Sequence, residues 1–178
     1  GALPALVPPT IVLQGGIYSD TESTAITHPD DGVSIRYTTD GSEPNENSPL
    51  YSNPISIDES TSLRARAFRN GFVPSQSTAA SYLIDVPLHL PALYINSDPA
   101  HFFDDETGIY VEGTNGIPGF CRNDPVNWNQ DWERPIHLSM FGTDGTELFA
   151  AKTGVKIGGG CSRSYAQKSL NIYLRRNT

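Results

Sequence analysis

Seven residues, Ser62-Leu-Arg-Ala-Arg-Ala-Phe68, alternate with a period of two: Leu63, Ala65 and Ala67 fall on one face, Arg64, Arg66 and Phe68 on the other. Successive side chains of a strand leave opposite faces, so this pattern reads as a half-buried strand. Asn70-Gly71 then turns the chain, and Ala79 to Ile84 returns it with Ala80, Tyr82 and Ile84 sharing a face. A strand with one apolar face needs a second layer to cover it. Upstream, Ser34-Ile-Arg-Tyr-Thr38 runs into the dense turn signal Thr39-Asp-Gly-Ser-Glu-Pro44, and Pro54-Ile-Ser-Ile57 follows another turn. About six strands spaced by turns over some 75 residues predict a small antiparallel sandwich.

Composition agrees. Gly, Pro, Ser, Thr and Asn make up 72 of the 178 residues, and only 3 of the 12 basic residues are Lys, which excludes a helical bundle or coiled coil. With 37% hydrophobic and 10% aromatic residues the chain can bury real cores, which argues against disorder. Its apolar runs are too short for a membrane span. The net charge of −8 argues against general affinity for nucleic acid or anionic lipid.

Asp85-Val-Pro-Leu-His-Leu-Pro91 reads as a linker, because its prolines disfavour ladder pairing. We therefore expect two modules: residues 1–86, a small antiparallel sandwich ending in this linker, and residues 87–178, a second small β domain with at most short helices. In the second, Ala92 to Ile95, Gly108 to Val111 and Ile136 to Phe141 read as strands, and Asp98-Pro99 can cap and open a short helix through His101-Phe102-Phe103. Asp144-Gly145 is a hairpin signal before Leu148 to Thr153. Residues 113–134 form a long, aromatic, Asn-rich connection, and such loops are either functional or tied down. Charge is uneven: residues 1–86 carry 4 basic and 10 acidic residues, while after Glu147 there are only bases, Lys152, Lys156, Arg163, Lys168, Arg175 and Arg176. These either pair with acids elsewhere or form an anion-binding face. The chain starts at Gly1, has only the internal Met140, and stops four residues after the strand-like Ser169 to Leu174. It reads as a piece cut from a longer protein, with Gly1-Ala2 as a tag remnant.

Two stretches resemble known families. Ile35-Arg-Tyr-Thr-Thr-Asp-Gly-Ser-Glu-Pro44, Tyr51-Ser-Asn-Pro-Ile55 and Leu63-Arg-Ala-Arg-Ala-Phe68 resemble the immunoglobulin-like domain at the C-terminus of chitobiase and β-hexosaminidase. The resemblance covers roughly residues 8–84 and implies an accessory sandwich without catalytic residues, in an extracellular or cell-surface setting. Gly108-Ile-Tyr-Val-Glu-Gly113, Trp132-Glu-Arg-Pro135, Gly154-Val-Lys-Ile-Gly-Gly-Gly-Cys-Ser-Arg163 and Lys168-Ser-Leu-Asn-Ile-Tyr173 are similar to the opening of the spore-coat-protein-H (CotH) family. This second resemblance covers about residues 91–176, departs from the usual pattern at Gly160-Cys161, and implies an atypical protein-kinase parent. The acidic residues that such a kinase needs for Mg²⁺ fall later in the family's domain, so it implies no catalysis and no cofactor within these residues.

Several residues are candidates for chemistry. Gly158, Gly159 and Gly160 let backbone N–H groups approach an anion, and Ser162, Arg163 and Lys168 could add donors. The register of a Walker A loop fails, because Gly160 stands where Lys is required. The group is either a glycine-rich turn between two strands or, by the family resemblance, a nucleotide-facing loop. Cys121 and Cys161 are the only cysteines. In an exported protein they would form a disulfide pinning the long loop; otherwise they are two free buried thiols. Asp104, Asp105 and Glu106 before Gly108 form either a solvated turn at a helix end or a Ca²⁺ site. Trp128, Trp132, Tyr110 and Phe120 are either packed under a sheet or a sugar-stacking platform. The four His residues are scattered without catalytic spacing. The preferred reading is a non-catalytic accessory fragment whose partners are proteins or glycans at the cell surface. A carbohydrate-binding module and the nucleotide-facing part of a kinase are the alternatives.

Overall fold

The computed structural model describes residues 2–121 and 123–174. Gly1, and the Arg175 and Arg176 of the basic run, lie outside them. The chain divides into two compact units, one of Gly1–Asn96 with Ser139–Ala150, the other of Ser97–Leu138 with Ala151–Thr178.

The first unit carries short strands β1 (Thr10–Ile11), β2 (Gly16–Tyr18), β3 (Glu22–Thr24), β4 (Ile26–Thr27), β5 (Ser34–Thr38) and β6 (Ile55–Ile57), the longer β7 (Thr61–Phe68) and β8 (Thr78–Ile84), and β9 (Ala92–Asn96). A four-stranded sheet runs β2-β8-β7-β5, and two-stranded sheets pair β1 with β4 and β3 with β6. The β5–β7 and β7–β8 pairs are antiparallel, with Tyr37 opposite Ala65 and Leu63 opposite Ala80. Strand β2 departs from the antiparallel expectation: it adds to β8 in parallel, with Gly16 opposite Tyr82.

The core follows from the alternation. Leu63 and Ala65 of β7 and Tyr82 of β8 pack in one cluster with Ile26 of β4 and Ile55 and Ile57 of β6, and Ile11, Ile35, Tyr37, Ala80 and Ile84 close around them. Inward residues of the four-stranded sheet thus meet those of the two small sheets, the layering of an immunoglobulin-like sandwich. Each fully buried aliphatic side chain contributes roughly 1.5–3 kcal/mol over its exposed state. Tyr82 is fully buried, and its hydroxyl donates to the Leu13 carbonyl at 2.8 Å. Asn70-Gly71 forms the expected turn, with Gly71 at φ +81° and the Phe72 N–H donating to Arg69 O.

The second unit opens with the helix α1 (Pro99–Phe103), in which the Asp98 side chain accepts from the Ala100 N–H at 2.9 Å and Pro99 needs no N–H partner. Strands β10 (Arg134–Phe141), β11 (Glu147–Ile157) and β12 (Leu170–Tyr173) are neighbours in one sheet, β11 and β12 antiparallel with Val155 opposite Ile172. The turn at Asp144-Gly145, in the stretch Ser139–Ala150 that belongs to the first unit, joins β10 to β11, Gly145 taking φ +83° and Gly142 N–H donating to Thr146 O. The expected strand at Gly108 to Val111 is absent. The Ile109 and Tyr110 amides donate instead to the carbonyls of His101 and Phe102, so the end of α1 takes the donors that a sheet neighbour would need. Among the described residues, Ile109, Val126, Trp128, Ile136, Leu138, Val155 and Ile157 are this unit's buried apolar residues. Among the described residues, the helical elements apart from α1 are two single 3₁₀ turns, Asn127–Asn129 and Cys161–Ser164.

Candidate functional site

Two places gather polar side chains in the pattern of a site, one in each unit. In the first, the turn after β5 folds back on β7. The Asp40 carboxylate accepts from the Ser42 N–H at 2.9 Å and the Ser42 hydroxyl at 2.6 Å, and these bonds hold its pKa below the usual carboxylate range. Gly41 sits at φ +84°, which a β-carbon would oppose. The turn delivers Glu43 onto the arginine face of β7: its carboxylate lies 2.9 Å from Arg64 Nη1 and 3.8 Å from Arg66 Nη1, and accepts from the Ser77 hydroxyl at 3.0 Å. The Arg64 side chain is only 4% exposed, Glu43 40%. Burial of a guanidinium requires such a partner.

In the second unit the structure brings three candidates together. The Lys168 ammonium lies 3.8 Å from the centre of the Trp128 ring and 5.3 Å from that of Tyr110, and donates to Tyr165 O at 2.9 Å. The Lys168 backbone N–H donates to the Tyr110 hydroxyl at 2.9 Å. Burial holds this lysine's pKa below its ordinary value, partly opposed by the negative charge of Glu112. Trp128 is 6% exposed, so its ring serves as the floor of this cation box. Trp132 is elsewhere: the Arg134 guanidinium stacks on it at 4.8 Å, while Arg134 Nη2 donates to Thr107 O. Phe120 is fully exposed.

The glycine-rich loop connects β11 to β12. Gly158 N–H donates to Ser169 O at 2.7 Å, and Gly159 takes φ +85°. Gly160 precedes the 3₁₀ turn that contains Ser162. Arg163 folds back over this loop: its Nε donates to Gly159 O at 2.6 Å and its Nη1 to Trp128 O at 3.3 Å. Both donors therefore meet backbone carbonyls. Lys156 pairs with Asp131 at 2.9 Å, which raises its pKa.

Cys121 and Cys161 are joined in a disulfide, their Cα atoms 5.2 Å apart, which ties the long loop to the glycine loop. A second tie is Asn127, fully buried, whose Nδ2 donates to Asp105 O and Gly108 O and whose Oδ1 accepts from Asn115 N–H. The long connection is tied down as well as aromatic. At its start, Asp104 Oδ1 accepts from the Glu106 and Thr107 amides and the Thr107 hydroxyl, and Asp105 Oδ2 accepts from Thr114. Glu106 is exposed beside them. Among the described residues no group of three His, Cys, Asp or Glu converges as metal ligands.

Sequence reasoning did not single out Glu43, Arg64 or Asn127. Glu43 and Arg64 are 21 residues apart, and no spacing rule links them. The one available signal was an arginine at an alternating position of a strand otherwise lined with small apolar residues.

Comparison with curated proteins and with solved structures found no match. Residues 13–79 match the family model described as the chitobiase/beta-hexosaminidase C-terminal domain. That stretch spans β2 to β7 and the Asp40–Glu43 turn, so the sandwich of the first unit is similar to a non-catalytic domain found at the C-terminus of glycosidases.

Proposed function

We propose that this chain is a non-catalytic accessory and interaction part of a secreted or cell-surface protein. One observation carries the reading: the residues that give the first unit its family likeness serve the fold. Asp40 and Gly41 shape a turn, and Glu43 neutralises the arginines of β7. The polar candidates of the second unit support it. Lys168 is boxed by Trp128 and Tyr110, and Arg163 is held by backbone carbonyls, so neither extends toward a substrate. The proposal includes the CotH-like character of residues 91–176, with any activity of the parent residing outside this chain. The disulfide fits an exported protein, since such bridges persist in oxidising compartments.

The test assays the purified chain for phosphoryl transfer with ATP and Mg²⁺ and for hydrolysis of β-linked N-acetylglucosaminides. Rates equal to a buffer blank are expected in both. Turnover that Lys168→Met abolishes, with the melting temperature retained, would overturn the reading. So would saturable ATP binding at Gly158–Lys168, or glycan binding lost in Trp128→Ala. Thiol titration of the unreduced, denatured protein should find no free thiol; two would refute the exported setting.

A further inference from the structure

The first unit holds four basic residues, all arginines, against twelve acidic ones. All four lie on or next to β5 and β7: Arg36, Arg64, Arg66 and Arg69. Arg64 and Arg66 face Glu43. Arg36 and Arg69 instead line a cleft of about 790 Å³ together with Phe68, Phe72, Glu46 and Asn47. Arg36 uses one donor on Ser48 O at 3.0 Å. Arg69 is exposed, its guanidinium 4.9 Å from the centre of the Phe72 ring, and it makes no side-chain hydrogen bond or ion pair among the described residues. Of the four arginines of this acidic module, the two not facing Glu43 thus share one open cleft with donors to spare, a local site for a carboxylate.

The rest of the lining narrows the ligand. Phe68 and Phe72 are half-buried, offering apolar ring surface at the wall, and stacking against rings is how aromatics bind sugars. Asn47 and Asn70 add amide groups of both polarities. Glu46 decides against a densely anionic partner: a carboxylate in the same cleft repels a phosphate or an acidic peptide but accepts from hydroxyl groups. We propose that this cleft binds a carboxylate-bearing saccharide, a uronic acid residue whose carboxylate meets Arg69 and Arg36, whose ring lies against Phe72, and whose hydroxyls meet Asn47 and Glu46. The assignment goes beyond the accessory reading, and its failure would leave that reading standing.

The experiment is calorimetric titration of the full chain with a trisaccharide carrying a single terminal glucuronic acid residue, with its carboxyl-reduced neutral counterpart, and with a Glu-rich hexapeptide, alongside amide shift mapping by NMR. The uronate should bind, at least about 10-fold more tightly than the neutral trisaccharide and the peptide, because a charge-assisted bidentate contact is lost in the first and Glu46 opposes the second. Affinity should fall with added salt, and the shifted amides should be those around Ser34, Asn47 and Asn70–Phe72. Arg69→Ala and Phe72→Ala should each weaken binding about 10-fold or more at unchanged melting temperature; both side chains border solvent, so the fold survives. No uronate binding, equal affinity for the neutral sugar, tighter binding of the peptide, or an unaltered Arg69→Ala would each overturn the assignment.

Discussion

Removing the Glu43 carboxylate should cost the first unit more than removing the arginine it neutralises. Glu43→Ala takes the carboxylate partner from Arg64, whose side chain is 4% exposed, from Arg66 and from the buried Ser77. Breaking a buried pair from one side costs roughly 3–5 kcal/mol. Glu43 is itself 40% exposed, so part of the attraction is already screened, and about 2–3 kcal/mol is the better figure. For a unit of this size that is a fall in melting temperature of about 10–20 °C. Arg64→Met keeps the buried aliphatic volume and leaves Glu43 able to reach water, so it should cost less, about 1 kcal/mol. The double variant Glu43→Leu/Arg64→Met should lie nearer the wild type than Glu43→Ala does, since no charge is left buried. Differential scanning calorimetry of the four proteins is the assay. A Glu43→Ala shift under about 2 °C, or a larger loss in Arg64→Met than in Glu43→Ala, would show that Arg64 does not depend on Glu43 for its charge.

Three further outcomes are expected. Burial pushes the Tyr82 hydroxyl up to about 12; its ordinary value is near 10. The neutral form is therefore favoured in the folded state, and its stabilisation is complete below about pH 10 and lost as pH rises through 12. The melting temperature should drop more steeply over that window in the wild type than in Tyr82→Phe, and equal slopes would contradict it. The disulfide closes a sequence separation of 40 residues, so reduction should lower stability by about 4 kcal/mol on chain-entropy grounds, read as a lower melting temperature with dithiothreitol and none in the Cys121→Ala/Cys161→Ala variant. Asn127→Ala should cost about 2–3 kcal/mol, since it empties a buried position and removes the side-chain bonds to Asp105 O, Gly108 O and Asn115 N–H; faster hydrogen exchange at the Asn115 amide is the local check.

How much was legible beforehand differs by element. Strands β5, β7, β8 and β12, the α1 cap at Asp98 and the turns at Gly71 and Gly145 were all readable within one to three residues of their ends. Each is decided by neighbours a few positions apart: alternation sets a strand's inner face, and glycine admits a positive φ. The irregular Gly108–Val111 shows the limit of that logic, since its apolar residues look like a strand until the carbonyls of α1 take their amides.

Local pattern alone therefore determined that this chain builds β layers, where several of its turns fall, and which side of β7 and β8 turns inward. Tertiary structure decided everything that requires distant segments to meet. It added β2 in parallel to β8, brought Glu43 onto Arg64, joined Cys121 to Cys161, and boxed Lys168 between Trp128 and Tyr110. The physical reason is range. Backbone preference and side-chain period act over a few residues, whereas a charge, a thiol or an aromatic face has no partner until folding closes the intervening loop, and only then is it settled which polar groups are spent on the fold and which, like Arg69, remain for a ligand.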